Sequence, residues 1–431
     1  MGGTWQQQNK ALPGAYINIL GKTPLSIKMS NRGVVALPLE LGWGEKTKVY
    51  KVRPGDDTVK LLGSSVDKIV PLREALKNAS EVLVCRVNGG QKASIELTAG
   101  VTATAACDGA KGNNISVITK EVDGQFTLST YMDGVIVDQQ VIESYADFVP
   151  NGFITISGEG AVAPGTQNLS GGSSTTANDS DYTAALNKLK TLSFNTISYG
   201  GDTSTVKALI EAFVKELREG EGVKIQAVMS NYSCDYEGII VVENGVILSD
   251  GTTLFAGDVC SWVAGATAGA TVSQSNTGKV YEGAIDVNPR LLKSDMEKKA
   301  DAGKFMFKVD NNQRVTVVYD INSLTSYLPS KNKSFRKNRV MRTLDGVAND
   351  ISSIWENNYM GKINNNEDGR SLYRASLVEY FNALQGLNAI QNFTPEDVIV
   401  EAGTESDAVL VKANIQAVDS AEKLYMEISV I

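Results

Sequence analysis

Histidine is absent from the whole 431-residue sequence, and that absence narrows the chemistry open to the chain. Without an imidazole there is no Ser-His-Asp or Cys-His pair, no histidine metal ligand, and no side chain that titrates near neutrality at its ordinary pKa. Cys85, Cys107, Cys234 and Cys260 are far apart and form no Cys-x-x-Cys. They read as reduced thiols of a reducing compartment, not as zinc ligands or a disulfide framework. Three motifs approach ligand binding and stop short of it. Gly21-Lys22-Thr23 ends like a phosphate loop, but Tyr16 stands where its first glycine belongs. Gly158 and Gly160 lack the third glycine of a dinucleotide fingerprint. Asn364, Asn366, Asp368 and Gly369 match a calcium loop until its last position, where Ala375 replaces the bidentate glutamate. A cap on the next helix, made by Asn366 or Asp368, is the expected role, as it is for Asp179-Ser180-Asp181. No cofactor and no metal are expected.

Charge and apolar alternation are concentrated elsewhere. Lys331, Lys333, Arg336, Lys337, Arg339 and Arg342 follow one another without an intervening acid. Such a run is either a solvated stretch before a helix or a patch that meets an acidic surface. Phe335 is its single aromatic residue, which disfavours stacking on single-stranded nucleic acid. From Ala421 to Ile431, Leu424, Met426, Ile428 and Val430 alternate with Tyr425, Glu427 and Ser429, the pattern of a half-buried strand. An apolar strand at an open edge invites a second chain. At the other end, a Gly-, Gln- and Asn-rich arm leads into a short apolar stretch carrying Tyr16, Ile17 and Ile19.

The elements that position these residues divide the chain. RGVVALPLELGWG reads as a strand ended by Gly42 and Gly44; VDKIVPLREALKNAS then places Ile69, Leu72, Ala75, Leu76 and Ala79 on one helical face, and EVLVCRV follows as a buried strand. Between Gln91 and Gly172 the turn pairs Asn113-Asn114, Asp123-Gly124, Asp133-Gly134 and Asn151-Gly152 separate alternating runs, as in an all-β unit. LSGGSSTTANDSD reads as a linker. The α/β pattern resumes with a helix from Asp181, a strand FNTISYGG, and a helix capped by Ser204 or Thr205 and stopped by Gly220. KIQAVMS and GIIVVENGVIL read as strands, the second with an Asn244-Gly245 hairpin signal. DVCSWVAGATAGATVSQS is small and apolar enough for a helix packed closely against a sheet. A hairpin sets Phe305, Phe307 and Val309 opposite Val315 and Val317. Two helices and the strands DVIVEA, AVLVKANIQAV and KLYMEISVI form a last α+β module. With 41 Lys+Arg against 49 Asp+Glu the chain is mildly acidic, which argues against a surface built to grip nucleic acid. No apolar run nears the roughly 18 residues of a membrane span, and no secretory signal pattern opens the sequence.

Three separated stretches together resemble the tail sheath proteins of contractile bacteriophage tails: GGTWQQQNKALPGAYINI, VAGATAGATVSQSNTGKVYEG, and KNRVMRTLDGVANDISSIWENNYMGKINNNEDGRSLYRASLVEYFNALQGLNAIQNF with the ending AVDSAEKLYMEISVI. The resemblance implies a multidomain α/β and α+β fold. It consists of an N-terminal arm (1–20), a sheath core in two parts (21–90 and 176–338), an inserted all-β domain (91–175), a C-terminal α+β domain (339–420) and a C-terminal strand arm (421–431). It implies a structural subunit, not an enzyme, that stacks as six-fold rings around a tail tube and contracts to drive the tube through a host envelope. Its partners would be further copies of itself, the tube protein, and baseplate and tail terminator proteins, with no direct nucleic-acid contact and no membrane insertion. Its place would be a virion tail or tail-like particle assembled in the host cytoplasm. Tyr16, Ile17, Ile19, Leu424, Met426, Ile428 and Val430 would anchor exchanged strands, and Lys333, Arg336, Lys337 and Arg339 would face the tube. Two other classes fit the residues alone: another shell or filament subunit, and an α/β enzyme with an inserted domain.

Overall fold

The computed structural model describes residues 32–430, together with the backbone of two short strands, Gly2–Gly3 and Ala15–Tyr16, which pair in parallel. The Tyr16 side chain, Ile17 and Ile19 lie outside the described residues. At the centre is a seven-stranded sheet built from β1 (Val34–Leu39), β2 (Val49–Val52), β3 (Glu81–Arg86), β4 (Thr196–Tyr199), β5 (Gln226–Ser230), β6 (Ile239–Val242) and β7 (Lys304–Phe305). Its spatial order is β7-β6-β5-β4-β1-β3-β2, parallel except for β2, which runs antiparallel to β3. Strands of a parallel sheet are covered on both faces, which is why their sequences are nearly continuous apolar runs. The period of two sorts those runs. Val35, Leu37, Val82, Val84, Val228, Ile240 and Val242 pack beneath α1 (Val70–Leu76) and α4 (Ala256–Gly269). Ala36, Leu83, Cys85, Ile197, Ala227, Met229, Ile239 and Val241 pack beneath α2 (Asp179–Leu189) and α3 (Ser204–Lys215).

Local details depart from the sequence expectation in physically instructive ways. Neither Ser204 nor Thr205 caps α3: Thr203 holds that position without a side-chain bond, and the Thr205 hydroxyl donates to Asp179 Oδ1 at 2.8 Å. Asn244-Gly245 is not a hairpin turn. Asn244 is buried, accepts from Phe307 N at 2.9 Å and donates to Phe307 O at 3.0 Å, so the chain turns a corner out of β6. Gly245–Leu248 then joins a separate antiparallel sheet with Thr253–Leu254 and Ala284–Asn288. Phe305 likewise belongs to the central sheet, while Phe307–Val309 pairs with Val315–Val317.

The insertion is a β-sandwich with its own apolar core. One sheet orders Val135–Ile142, Gln125–Met132, Ile115–Val122 and Gly165–Asn168; the other orders Ile154–Ser157, Val101–Ala105 and Ser94–Thr98. Asp123-Gly124 and Asp133-Gly134 close two hairpins with positive φ at all four residues, the requirement of the tight turn that matches strand twist. The chain enters and leaves through one clasp, Gly90–Gln91 paired with Ser173–Ser174.

Beyond the core, α5 (Asn338–Ile354) and α6 (Glu367–Gly386) pack with a hairpin of β8 (Val398–Ala402) and β9 (Val409–Ala413) around Tyr359, Leu377, Tyr380, Phe381 and Leu384. Asn366 caps α6 by accepting from Gly369 N at 2.9 Å, so the calcium-like motif is a helix start. The first half of α5 is buried against the core.

Candidate functional site

Two places present themselves: the crevice of the central sheet, where enzymes of this topology work, and the C-terminal surface. In an open parallel sheet, ligands bind beyond the carboxyl ends of the strands where the strand order reverses. Here that point lies between β1 and β4, at a cavity of about 370 Å³ bordered by Glu40, Asp179, Gly200, Asp202 and Asp258. Its carboxylates already serve the fold. Glu40 accepts from Ala177 N at 3.0 Å, Asp179 from Thr205 Oγ1 at 2.8 Å and Asp258 from Phe255 N at 2.8 Å, while Asp202 lies 3.7 Å from Lys207. An acidic rim at helix N-termini opposes the anion chemistry usual at this position. Among the described residues, no cluster of three His, Cys, Asp or Glu is placed to hold a metal. Burial pushes the Cys85 thiol up to about 11 and Cys260 to about 12, which keeps both protonated and unreactive.

The C-terminal surface carries two complementary halves. From Leu424 to Val430 the chain lies outside any ladder and in solvent: Leu424 is 84% exposed, Met426 69%, Ile428 74% and Val430 95%. Soluble surfaces rarely display such a run without a partner. The other half is the β8–β9 hairpin, whose strands pair only with each other among the described residues, so each keeps an open outer edge there. Val398, Val400, Val409 and Val411 turn toward the α6 cluster, whereas Ile399 and Leu410 remain about half exposed. A two-stranded sheet is marginal by itself and gains from added strands. At the start of β9 a hollow of about 540 Å³ opens between Val409, Trp355, Tyr359, Tyr373 and Arg370.

The basic segment is mostly spent inside the subunit. Lys333 alone of the four tube candidates is exposed. Arg336 is buried with a long contact, Nη1 to Tyr327 Oη at 3.5 Å; its Nε and Nη2 find no acceptor among the described residues. Arg339 donates to Ser420 Oγ at 2.8 Å and to Asn388 O at 3.3 Å. Lys337 lies 4.5 Å over the Tyr319 ring and pairs with Glu422 and, at 3.3 Å, with Asp419. Burial disfavours its ammonium, but the Glu422 carboxylate outweighs this and holds its pKa above that of an ordinary lysine. Lys331 pairs with Glu237 at 2.6 Å, and Arg342 is fully buried on Thr267 O, Gln274 O and Asp320. Sequence reasoning missed Glu422, Asp419 and Ser420 as partners of this run, since nothing local marks a contact some eighty residues away.

Four family models match in succession: the Tail sheath protein Gp18 domain III N-terminal region over residues 32–87, the Phage tail sheath protein beta-sandwich domain over 88–179, the Phage tail sheath protein central domain over 175–323, and the Phage tail sheath C-terminal domain over 330–431. The chain is 37% identical to the phage-like element PBSX protein XkdK of Bacillus subtilis (strain 168), covering 100% of this chain and 99% of that protein. It superposes on the crystal structure of a sheath tail protein from Desulfitobacterium hafniense with a TM-score of 0.87 at 39% identity, covering 96% of this chain and 99% of that one. The fold also matches the helical sheath of the anti-feeding prophage in its contracted state, with a TM-score of 0.60 at 12% identity over 98% of this chain and 99% of that one.

Proposed function

We infer the function from one premise: the chain belongs to the phage tail sheath protein family. It is a structural subunit of a contractile tail sheath. Copies stack as six-fold rings around a tail tube, within a virion tail or tail-like particle built in the host cytoplasm, and contraction drives the tube through the host envelope. It performs no catalysis of its own. Further copies, the tube and the baseplate are its partners.

The observation that carries this reading is that one chain holds, among its described residues, both an exposed apolar terminal segment outside any ladder and an open-edged hairpin. Each subunit thereby offers both halves of a joint to its neighbours. Burying Leu424, Met426, Ile428 and Val430 at about 1.5–3 kcal/mol each gives about 6–12 kcal/mol as an upper bound. Ladder hydrogen bonds add about 0.5–1.5 kcal/mol each. A joint of that strength stays closed while rigid bodies rotate around it. We assign the same role to the arm carrying Tyr16, Ile17 and Ile19. Tube contact falls to Lys333, with Arg336 behind it; Lys337 and Arg339 add positive charge while holding the root of the arm. Deleting residues 424–431 is expected to leave a folded subunit that no longer polymerises. Sheath-like tubes of that deletion in electron micrographs would overturn the strand-exchange reading.

A further inference from the structure

We propose that Glu422 and Lys337 form a latch that fixes where the exchanged arm leaves the subunit, an inference that rests on the strand-exchange reading above. Glu422 lies at the boundary between two regimes of the chain. Its side chain is only 9% exposed and that of Lys337 12%, whereas Leu424, two residues on, is 84% exposed. One Glu422 oxygen accepts from Ser275 Oγ at 3.0 Å and the other from Lys337 Nζ. Asp419 adds a second carboxylate to Lys337, and Arg339 holds Ser420.

The partners come from a different body than the arm does. The chain reaches Asp419 out of the C-terminal module, where Gln416–Ala417 pairs with Ile390–Gln391 and Val418 N donates to Ala389 O. Ser275 follows α4 in the core, and Lys337 and Tyr319 precede α5. The root of the arm has therefore crossed back onto the core before it is released. A pull on the latched arm is transmitted into the seven-stranded body. Unlatched, the same pull falls on the Arg339–Ser420 contact and a two-residue ladder, and Ala421 and Glu422 join the free segment, adding about 7 Å of slack at about 3.3 Å per residue. Glu422 and Lys337 are positioning residues: they set the length and origin of the arm without touching the strand that receives it.

Sheath assembled from the full chain with Glu422→Gln, and separately with Lys337→Met, should still form tubes because the arm is intact. Helical reconstruction should then find the order lost, with subunit rise and twist varying along each tube, and disassembly at lower urea than wild type. Glu159→Gln, on an exposed loop of the insertion, serves as the charge control and should leave rise and twist unchanged. Both latch variants keeping wild-type rise, twist and urea resistance would overturn the latch. The deletion of 424–431 separates the two ideas. If the deletion blocks polymerisation while the latch variants match wild type, the latch alone is wrong; if the deletion polymerises, strand exchange is wrong and the latch falls with it.

Discussion

Two glycines decide how closely α4 lies over α1. A Cβ at Gly265 would stand 2.4 Å from Ala75 O, and one at Gly269 would stand 2.1 Å from Asn78 O. Both obstacles are backbone atoms, so relief requires moving a helix. Gly265→Ala is expected to destabilise the subunit by about 1–3 kcal/mol or more, read as a lower urea midpoint with the slope unchanged. An unchanged midpoint would contradict the packing. The run of small residues in VAGATAGAT made the close approach legible, but not its partner, which lies nearly two hundred residues earlier. The basic run shows the opposite limit. Its charges were legible as a patch, yet Arg336, Lys337 and Arg339 turn inward. What draws two of them in, Glu422 and Ser420, is distant in sequence and unmarked by any local pattern.

Among the elements, hairpins were legible where the turn itself decides the geometry and illegible where a distant partner does. Asp133-Gly134 and Asn244-Gly245 look alike as dipeptides. The first closes a hairpin through its own positive φ values; the second is captured by the backbone of Phe307 and becomes a corner. Asp133 also ties its hairpin down. Its carboxylate accepts from Lys111 Nζ at 2.7 Å and Asn114 Nδ2 at 2.6 Å, and lies 3.4 Å from Lys68 of the core. Burial would raise its pKa, but these contacts outweigh burial and hold it below the usual carboxylate range. A depressed folded-state pKa gives stability that is full above the unfolded value near 4 and is lost as pH falls through the lowered one. Asp133→Asn should therefore lower the thermal midpoint near pH 7, and the gap to wild type should shrink near pH 2. A gap of equal size at both pH values would contradict this account.

At the scale of the whole molecule, the core and the C-terminal module are joined by charges buried across their seam. Arg218 donates to both oxygens of Asp345 at 2.7 and 2.8 Å, with side chains 4% and 10% exposed. Beside them Lys224 N donates to Asn349 Oδ1 at 2.8 Å, and Asn349 Nδ2 donates back to Lys224 O at 2.9 Å. Removing one partner strands the other, so Asp345→Ala is expected to cost about 3–5 kcal/mol in urea denaturation. It should also speed proteolytic release of the C-terminal module; wild-type values in both assays would contradict the seam. The order of these bodies was legible from strand and helix periods, whereas the seam was not, since paired polar residues look like surface until their partners are placed. The clasp that closes the insertion has a separate consequence. Gly89 and Thr175 are hydrogen-bonded neighbours, with Thr175 N donating to Gly89 O at 2.9 Å, so the chain leaves the core and returns to it at one place, although the insertion also rests on the core through Trp43 against Phe153 and Lys68 beside Asp133. That makes the clasp a graft site: a foreign domain whose own ends lie close together can be spliced there and displayed on every copy, leaving the arm, its latch and the receiving hairpin as they are.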